Sequence, residues 1–280
     1  MNILEKSFYS GISGAGAMTV QVSTLMWMRT IMNHQYRYGN TIKHTVTQLY
    51  KEGGIPRFYR GIGFALIQGP TSRFADTFSN TFAMKLLEDS KLPIAIKTGF
   101  ASVTAGLFRI FLMPIDTWKT FLQVEGQKSL LLDKVRKNGI GVLYNGSLAT
   151  CLATITGHYP WFATYNYLDS YLPNEHKILR SAFIGFSASV VSDSVSNSLR
   201  VIKTTKQTHT ENITYLETIN KIIETDGVKG LLGRGLKIRI ITNGVQGMLF
   251  SVLWKYFQET STQRDLPDKK LISQQENPKL

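Results

Sequence analysis

Three sets of residues recur in this sequence at spacings that would line up charge on helix faces. Arg109, Asp116 and Lys119 stand at i, i+7 and i+10, and Asp193, Arg200 and Lys203 repeat those offsets. At about 3.6 residues per turn such positions share one face of a helix. A third set, Thr19, Met26 and Arg29, keeps the spacing with a single charge. Guanidinium and ammonium groups gathered with few carboxylates attract anions, and the guanidinium fork suits carboxylate and phosphate. Covalent chemistry has less support. No Gly-x-x-x-x-Gly-Lys-Ser/Thr loop is present to cradle a phosphate, and the five histidines show no metal-ligand spacing. The expectation is a device that binds and moves anions, not an enzyme, with no cofactor and no metal.

The elements that must position these charges read as membrane spans. Ser7 to Met28 and Gly139 to Leu168 contain no Asp, Glu, Lys or Arg, and about 20 mostly apolar residues are enough to cross a bilayer. Both runs are rich in Gly, Ala, Ser and Thr, which let helices approach closely in lipid. The 280 residues carry a formal charge of +13 with a pI near 9.7 and a mean hydropathy of -0.07, yet only 18% of them are charged. Globular chains average about 25%, so the charge is confined to certain stretches. Ionisable groups inside a span are costly unless they face water or a partner. A shared charged face therefore predicts a hydrated centre. The basic residues recur in register with the spans instead of forming one exposed stripe, which argues against nucleic acid as a partner. Cys151 is the one cysteine, which excludes an internal disulfide and leaves it as a small helix residue. No cleavable leader is expected, because Met1 to Lys6 runs directly into the first span. Glu259 to Leu280 reads as a loose polar tail.

A phrase of glycines and aromatics occurs three times. It reads Gly-Gly-Ile-Pro-Arg-Phe-Tyr-Arg-Gly from Gly53 to Gly61, Asn-Gly-Ile-Gly-Val-Leu-Tyr-Asn-Gly from Asn138 to Gly146, and Asp-Gly-Val-Lys-Gly-Leu-Leu-Gly-Arg-Gly from Asp226 to Gly235. Upstream of each copy lies a second phrase: Thr24-Leu-Met26-Trp-Met-Arg29, Pro114-Ile-Asp116-Thr-Trp-Lys119 and Ser198-Leu-Arg200-Val-Ile-Lys203. A Pro-x-Asp/Glu-x-x-Lys/Arg phrase followed by a Gly-rich aromatic turn resembles the signature of the mitochondrial carrier family, over about residues 7 to 258. Only the middle copy is complete. The resemblance implies an all-α membrane protein, with six transmembrane helices in three pseudo-symmetric repeats of about 7–90, 91–178 and 179–258. These form a single domain, 1–258, ahead of the tail at 259–280. Short amphipathic helices would lie on the matrix side. Val46, Leu49 and Tyr50 carry the helical spacing of the first, and Tyr215, Leu216, Ile219, Ile222 and Ile223 that of the third. Such helices lie along an interface, where anionic lipids are the expected neighbours. The long loops at 33–60, 123–145 and 204–234 hold most of the loop Lys and Arg, which by the positive-inside tendency also places them in the matrix.

In that family, the motif carboxylates and bases pair between neighbouring helices to close the matrix side. Here Met26 and Arg200 occupy two of the three acidic positions, so Asp116 alone would face Arg29, Lys119, Arg200 and Lys203. Asp116 is most simply an interhelical salt bridge. A ring of four cations and one anion repels itself, so either the gate is weak or an anionic substrate or counter-ion neutralises it. Asn33, Gln123 and Gln207 stand four residues past each base, where the family often places a bracing glutamine, and could share hydrogen bonds there. The resemblance puts substrate seven and eight residues past each closing glycine: Gln68 and Gly69, Ala153 and Thr154, Thr242 and Asn243. One turn deeper stand Ser72, Gly157 and Gln246. Arg73, alone after Gly69-Pro70, is a pathway residue or a local i,i+3 partner of Asp76. Arg109 and Asp193 are either substrate contacts or helix-helix pairs, and His158 reads as a packing residue. Late in the even spans, the aromatic-acid-x-x-base pattern is lost at Asn80-Thr81 with Met84, Tyr165-Asn166 with Asp169, and Trp254-Lys255 with Gln258, which predicts a weak outer latch. Thr24 and Ser198 replace the proline and predict milder bends than Pro114.

These readings converge on a monomeric, multi-pass transporter of the mitochondrial inner membrane. It would exchange or carry a small anionic metabolite, di- or tricarboxylates first, by alternating access. A nucleotide or phosphorylated cofactor is the alternative cargo. A carrier-derived receptor or scaffold that no longer transports is the alternative class.

Overall fold

Glycine and proline set the boundaries of the helices. The structure, a computed structural model, describes residues 3–88, 90, 92–173, 177–246 and 249. Its elements run α1 (Ile3–Tyr38), α2 (Ile42–Phe58), α3 (Ile62–Leu86), α4 (Ile94–Phe111), α5 (Met113–Val124), α6 (Lys128–Asn138), a 3-10 turn (Ile140–Tyr144), α7 (Ser147–Tyr171), α8 (Lys177–Thr208) and α9 (Tyr215–Gly233). A further helical stretch, α10, covers 236–246. No strand occurs among the described residues. One order recurs: a long helix, a shorter helix and a third helix, with the first long helix of the second unit divided into α4 and α5 and the last helix of the third unit described over 236–246.

That division has a local cause. The two pieces meet at 70°, where Pro114 enters the first turn of α5 without the N–H a continuous helix needs. Thr24 and Ser198 hold the matching places in α1 and α8, and both helices run through unbroken. Thr24 Oγ1 donates back to the Val20 carbonyl at 2.9 Å, a bond that softens a helix without cutting it.

Gly61, Gly146 and Gly235 precede α3, α7 and α10 at φ of 84°, 86° and 67°, a left-handed backbone that glycine adopts at little cost. Each also abuts the next long helix in cyclic order. A Cβ would stand 3.0 Å from the Lys119 carbonyl oxygen of α5 at Gly61, 3.1 Å from that of Lys203 of α8 at Gly146, and 3.3 Å from that of Met32 of α1 at Gly235. The recurring phrase is therefore a close-contact joint between units. Gly146→Ala is expected to cost about 1–2 kcal/mol through left-handed strain alone, whereas Gly141→Ala meets nothing within 4 Å. Thermal unfolding in detergent compares the two variants, and equal midpoints would refute the joint.

The long helices pack in sequence, α1 on α3, α3 on α4, α4 on α7 and α7 on α8. Ile238 of α10 joins Leu25, Met28 and Ile31 of α1 in one core cluster, while Gly244 faces Phe186 of α8. The order thus closes into a ring. Small residues allow the close approaches: a Cβ on Gly69 would meet Val22 at 2.9 Å, on Gly106 the Cys151 sulfur at 3.1 Å, and on Gly157 the Ser192 hydroxyl at 3.1 Å. Outside, Ile96, Phe100, Val103 and Leu107 lie exposed along one face of α4, while Asp116, Thr117, Asp193 and Asn197 are buried. This inverts the polarity of a water-soluble protein and suits lipid. The segment Ile140–Tyr171 is long and apolar enough to cross a membrane, and Gly99–Phe111 with Met113–Val124 passes together as a bent pair. The charge-free run from Ser7 is part of α1. Trp254, Lys255, Gln258 and the tail lie outside the described residues.

The short helices start on side-chain caps. Thr41 Oγ1 accepts from the His44 N–H of α2, and Thr214 with Glu217 forms a reciprocal capping box on α9. Their apolar faces are narrower than spacing alone predicts. Leu49 and Ile222 are buried, whereas Tyr50 and Leu216 stay 61% and 69% exposed.

At the ends nearest these short helices, α1, α5 and α8 each receive a buried cation. Arg57 donates to the Gln123 and Val124 carbonyls at 2.8 and 2.7 Å, Lys134 to the His209 carbonyl at 2.6 Å, and Arg234 to the Arg37 carbonyl at 3.1 Å. Helix C-termini leave carbonyls unpaired and carry the negative end of the macrodipole, so each cation answers both. Burial, with Lys206 and Arg37 nearby, pushes the Lys134 amine down to about 8. Above that pH the unfolded chain holds more protons than the folded one, so stability rises with pH from about 8 towards the ordinary lysine value. Melting followed from neutral to alkaline pH should show this gain in the wild type and lose it in Lys134→Gln. Parallel profiles would mean that the amine titrates normally.

Candidate functional site

The charged faces of α1, α5 and α8 converge inside the ring, and their three seams differ in kind. Between α5 and α8 the contact is ionic: the buried Asp116 carboxylate takes Lys119 Nζ at 2.6 Å on one oxygen and Lys203 Nζ at 2.5 Å on the other. Gln207 Nε2 donates to the same carboxylate at 3.2 Å and to Thr117 Oγ1 at 2.8 Å. Lys119 also donates to Gln68 Oε1 at 3.0 Å. One carboxylate thus holds two ammonium groups, leaving a local surplus of one positive charge.

Between α1 and α5, where Met26 stands in an acidic position, the contact is neutral. Gln123 Nε2 lies 3.2 Å from the Met26 sulfur, a weak acceptor, and Gln123 Oε1 accepts from Asn33 Nδ2 at 2.6 Å. On the third side, Arg200 Nε donates to the Ser196 hydroxyl at 3.3 Å. Arg29 reaches the side-chain oxygen of Gln246 at 2.7 and 3.3 Å, in the amide orientation that satisfies both groups. Neither guanidinium has a carboxylate partner among the described residues.

Three further polar clusters bridge other helices. Asp193 of α8 takes Arg239 Nε of α10 at 2.6 Å and accepts from Asn243 Nδ2 on its other oxygen; Arg239 also donates to the Tyr36 hydroxyl at 3.3 Å. Arg109 of α4 grips Asp76 of α3 in a fork, at 2.6 and 3.4 Å. The Ser102 hydroxyl and His158 Nδ1 stand 2.7 Å apart between α4 and α7.

Several expected contacts are therefore already engaged. Gln68 serves Lys119, Asn243 serves Asp193 and Gln246 serves Arg29, while Thr154 is buried and bonds back to the Thr150 carbonyl at 2.9 Å. The carboxylate offered to Arg73 as a local partner is held by Arg109 across the helix interface, because the guanidinium fork can engage both its oxygens. Arg73 itself is exposed on α3. Arg109 and Asp193 each make an ion pair between helices.

Arg239 escaped the sequence reading. It stands four residues past Gly235, and the matching positions after Gly61 and Gly146 hold Ala65 and Thr150, so no charge repeat marked it. Asp169 likewise pairs with Arg180 at 2.6 Å across the α7–α8 connection, a partner beyond the within-helix pattern considered from sequence. No group of three or more His, Cys, Asp or Glu able to hold a metal occurs among the described residues.

The chain matches the family model for the mitochondrial carrier protein over residues 1–91, 93–176 and 174–265. It is 32% identical over 103 residues to mitochondrial substrate carrier family protein Z of Dictyostelium discoideum, a match covering 35% of this chain and 34% of that protein. A mitochondrial carrier-like protein of Acanthamoeba polyphaga mimivirus is 22% identical over 198 residues, 70% of this chain and 78% of the relative. The chain thus spans about a third of the length of the first relative and over three quarters of the second. Three consecutive matches, laid on three units joined in cyclic order, make this chain a member of the mitochondrial carrier family.

Proposed function

We propose that this carrier moves a small anionic metabolite, a di- or tricarboxylate first, across the mitochondrial inner membrane by alternating access. Membership in a family of membrane solute transporters supports the class of activity. The observation that carries the sign of the cargo is the imbalance inside the ring. Arg29 and Arg200 face neutral partners, and Lys119 and Lys203 share one carboxylate. Buried cations without counter-charge are costly, so an entering anion is stabilised where a cation would be repelled.

In this reading the long helices provide six spans, both termini face the intermembrane space, and α2, α6 and α9 lie along the matrix interface against anionic lipid. The protein acts as a monomer. The ionic seam at Asp116 and the amide seam at Gln123 close the matrix side. Substrate drives the switch by supplying more interaction in the occluded state than in either open one.

The test is exchange in liposomes. Purified protein is reconstituted with internal succinate or citrate, and uptake of labelled succinate, citrate, phosphate and AMP is followed. Carboxylate exchange is the expected result, and AMP uptake alone would transfer the assignment to phosphorylated cargo. Failure of a folded preparation to move any of the four would leave the receptor or scaffold reading in its place.

A further inference from the structure

We infer that the cleft between the ends of α1 and α8 and the flank of α9 binds a phosphate group, at a site separate from the Asp116 cluster. A cavity of about 260 Å3 opens there, lined by Arg37, Lys221 and Arg234, with Glu224 the one carboxylate among its described walls. Arg234 is answered, because Asp226 takes its Nε at 2.7 Å. Arg37 makes no ion pair among the described residues. Its Nε is buried without an acceptor, and its guanidinium carbon lies 5.2 Å from the centre of the Tyr38 ring.

Lys221 faces a donor. His209 Nδ1 accepts the Glu211 backbone N–H at 3.1 Å, so the proton of the imidazole sits on Nε2. That nitrogen stands 3.2 Å from Lys221 Nζ. Glu211 reaches the same Nζ only at 3.8 Å, between exposed side chains. An anionic oxygen beside Lys221 would answer this pair of donors, and a second would answer Arg37. A phosphate group brings up to two negative charges and three acceptor oxygens, and it pairs well with guanidinium.

The repeat does not impose this chemistry. The corresponding cleft between α1, α2 and α5 is lined by Gln48, Glu52 and Glu125 together with Arg60. Counted from the caps Thr41 and Thr214, Gln48 and Lys221 both stand seven residues on, and Glu52 and Thr225 eleven. An amide and a carboxylate of the first unit are thus a lysine and a threonine in the third. The basic lining comes from the side chains of this seam.

Inorganic phosphate and AMP are titrated into the detergent-purified chain, with the rise in thermal midpoint as a second readout. Arg37→Gln and Lys221→Gln should each weaken binding about ten-fold or more, the worth of a charge-assisted bond. Glu224→Gln should strengthen it about two- to five-fold by removing a like charge at an exposed position. Lys221 is exposed as well, so its variant should keep the unliganded midpoint of the wild type and show that the loss is one of binding. Repeating the titrations in lipid nanodiscs with and without phosphatidate identifies the source of the phosphate. Binding unaffected by phosphatidate marks a soluble ligand, whereas binding of phosphatidate alone, lost in the same variants, marks a lipid headgroup. Equal affinities in all four proteins would overturn the site and assign phosphate binding to the interior of the ring. Failure of the wild type to bind phosphate, AMP or phosphatidate would overturn it too, and either result leaves carboxylate exchange in liposomes as a separate question.

Discussion

Asp116→Asn is expected to destabilise the folded protein by about 3–5 kcal/mol, because removing one member of a buried ion cluster leaves the others uncompensated. Lys119 and Lys203 both sit within 2.6 Å of this carboxylate, with little exposure on either side chain. An asparagine of the same shape is neutral, and it keeps one acceptor oxygen but turns an NH2 donor towards the other ammonium group. The Gln207 amide loses a partner as well. Thermal unfolding in detergent measures the loss. The companion variant replaces the whole cluster, Asp116→Leu with Lys119→Met and Lys203→Met, and should recover most of the stability, since apolar groups of similar volume substitute for a buried ion cluster at little net cost. A wild-type midpoint for Asp116→Asn would show that the lysines find water in the folded state. A triple variant as unstable as the single one would show that the cluster specifies the packing of α5 on α8 and does more than balance charge.

Arg57→Ala is the second large effect, at about 3–5 kcal/mol. The side chain is 0% exposed and makes three short bonds: to the Gln123 and Val124 carbonyls and to Glu52, the last at 2.8 Å. Its removal strands two buried helix-end carbonyls, each worth about 1–3 kcal/mol of lost solvation, and opens a void beside α5. Arg60→Ala is the contrast, because its bond to the Gly126 carbonyl lies at the exposed surface and surface changes of this kind usually fall within about 0.5 kcal/mol. Lysine at position 57 should restore only part of the loss, since an ammonium cannot fork between the two carbonyls. Hydrogen exchange supplies the local readout: the last turn of α5, residues 121–124, should exchange faster in Arg57→Ala and remain protected in Arg60→Ala. Equal protection in both would place the stabilisation elsewhere in the Arg57 contacts.

These effects separate the uses to which the basic residues of a strongly cationic chain are put. Arg57, Lys134 and Arg234 satisfy helix ends, and Arg109 and Arg239 hold neighbouring helices through single carboxylates. Arg29 and Arg200 remain with neutral partners. The field that would draw an anion therefore originates from few residues, and the formal charge of +13 overstates it.

The three units were legible in the letters because their markers are local. A glycine at φ near 85° before α3 and α7 is written as glycine, since another residue there strains the backbone and strikes a neighbouring carbonyl. Pro114 announces the break between α4 and α5 by lacking an N–H, and Thr214 with Glu217 announces the start of α9. The charged faces were equally readable, because i, i+7 and i+10 fall together on any helix. The two missing acids, at Met26 and Arg200, are named by the resemblance to the carrier signature laid on that spacing. What the letters left open is which group each charge meets. Asp76 lay one turn from Arg73 yet pairs with Arg109 of another helix, and Asp193 meets Arg239, whose position carries no charge in the other units. Gln68, Asn243 and Gln246, which the resemblance places beside the cargo, bond to Lys119, Asp193 and Arg29. Periodicity assigns a side chain to a face, but the partner depends on how each helix is rotated and raised against its neighbours. That setting comes from the glycine joints and small-residue contacts of the assembled ring, so only the tertiary structure decides it.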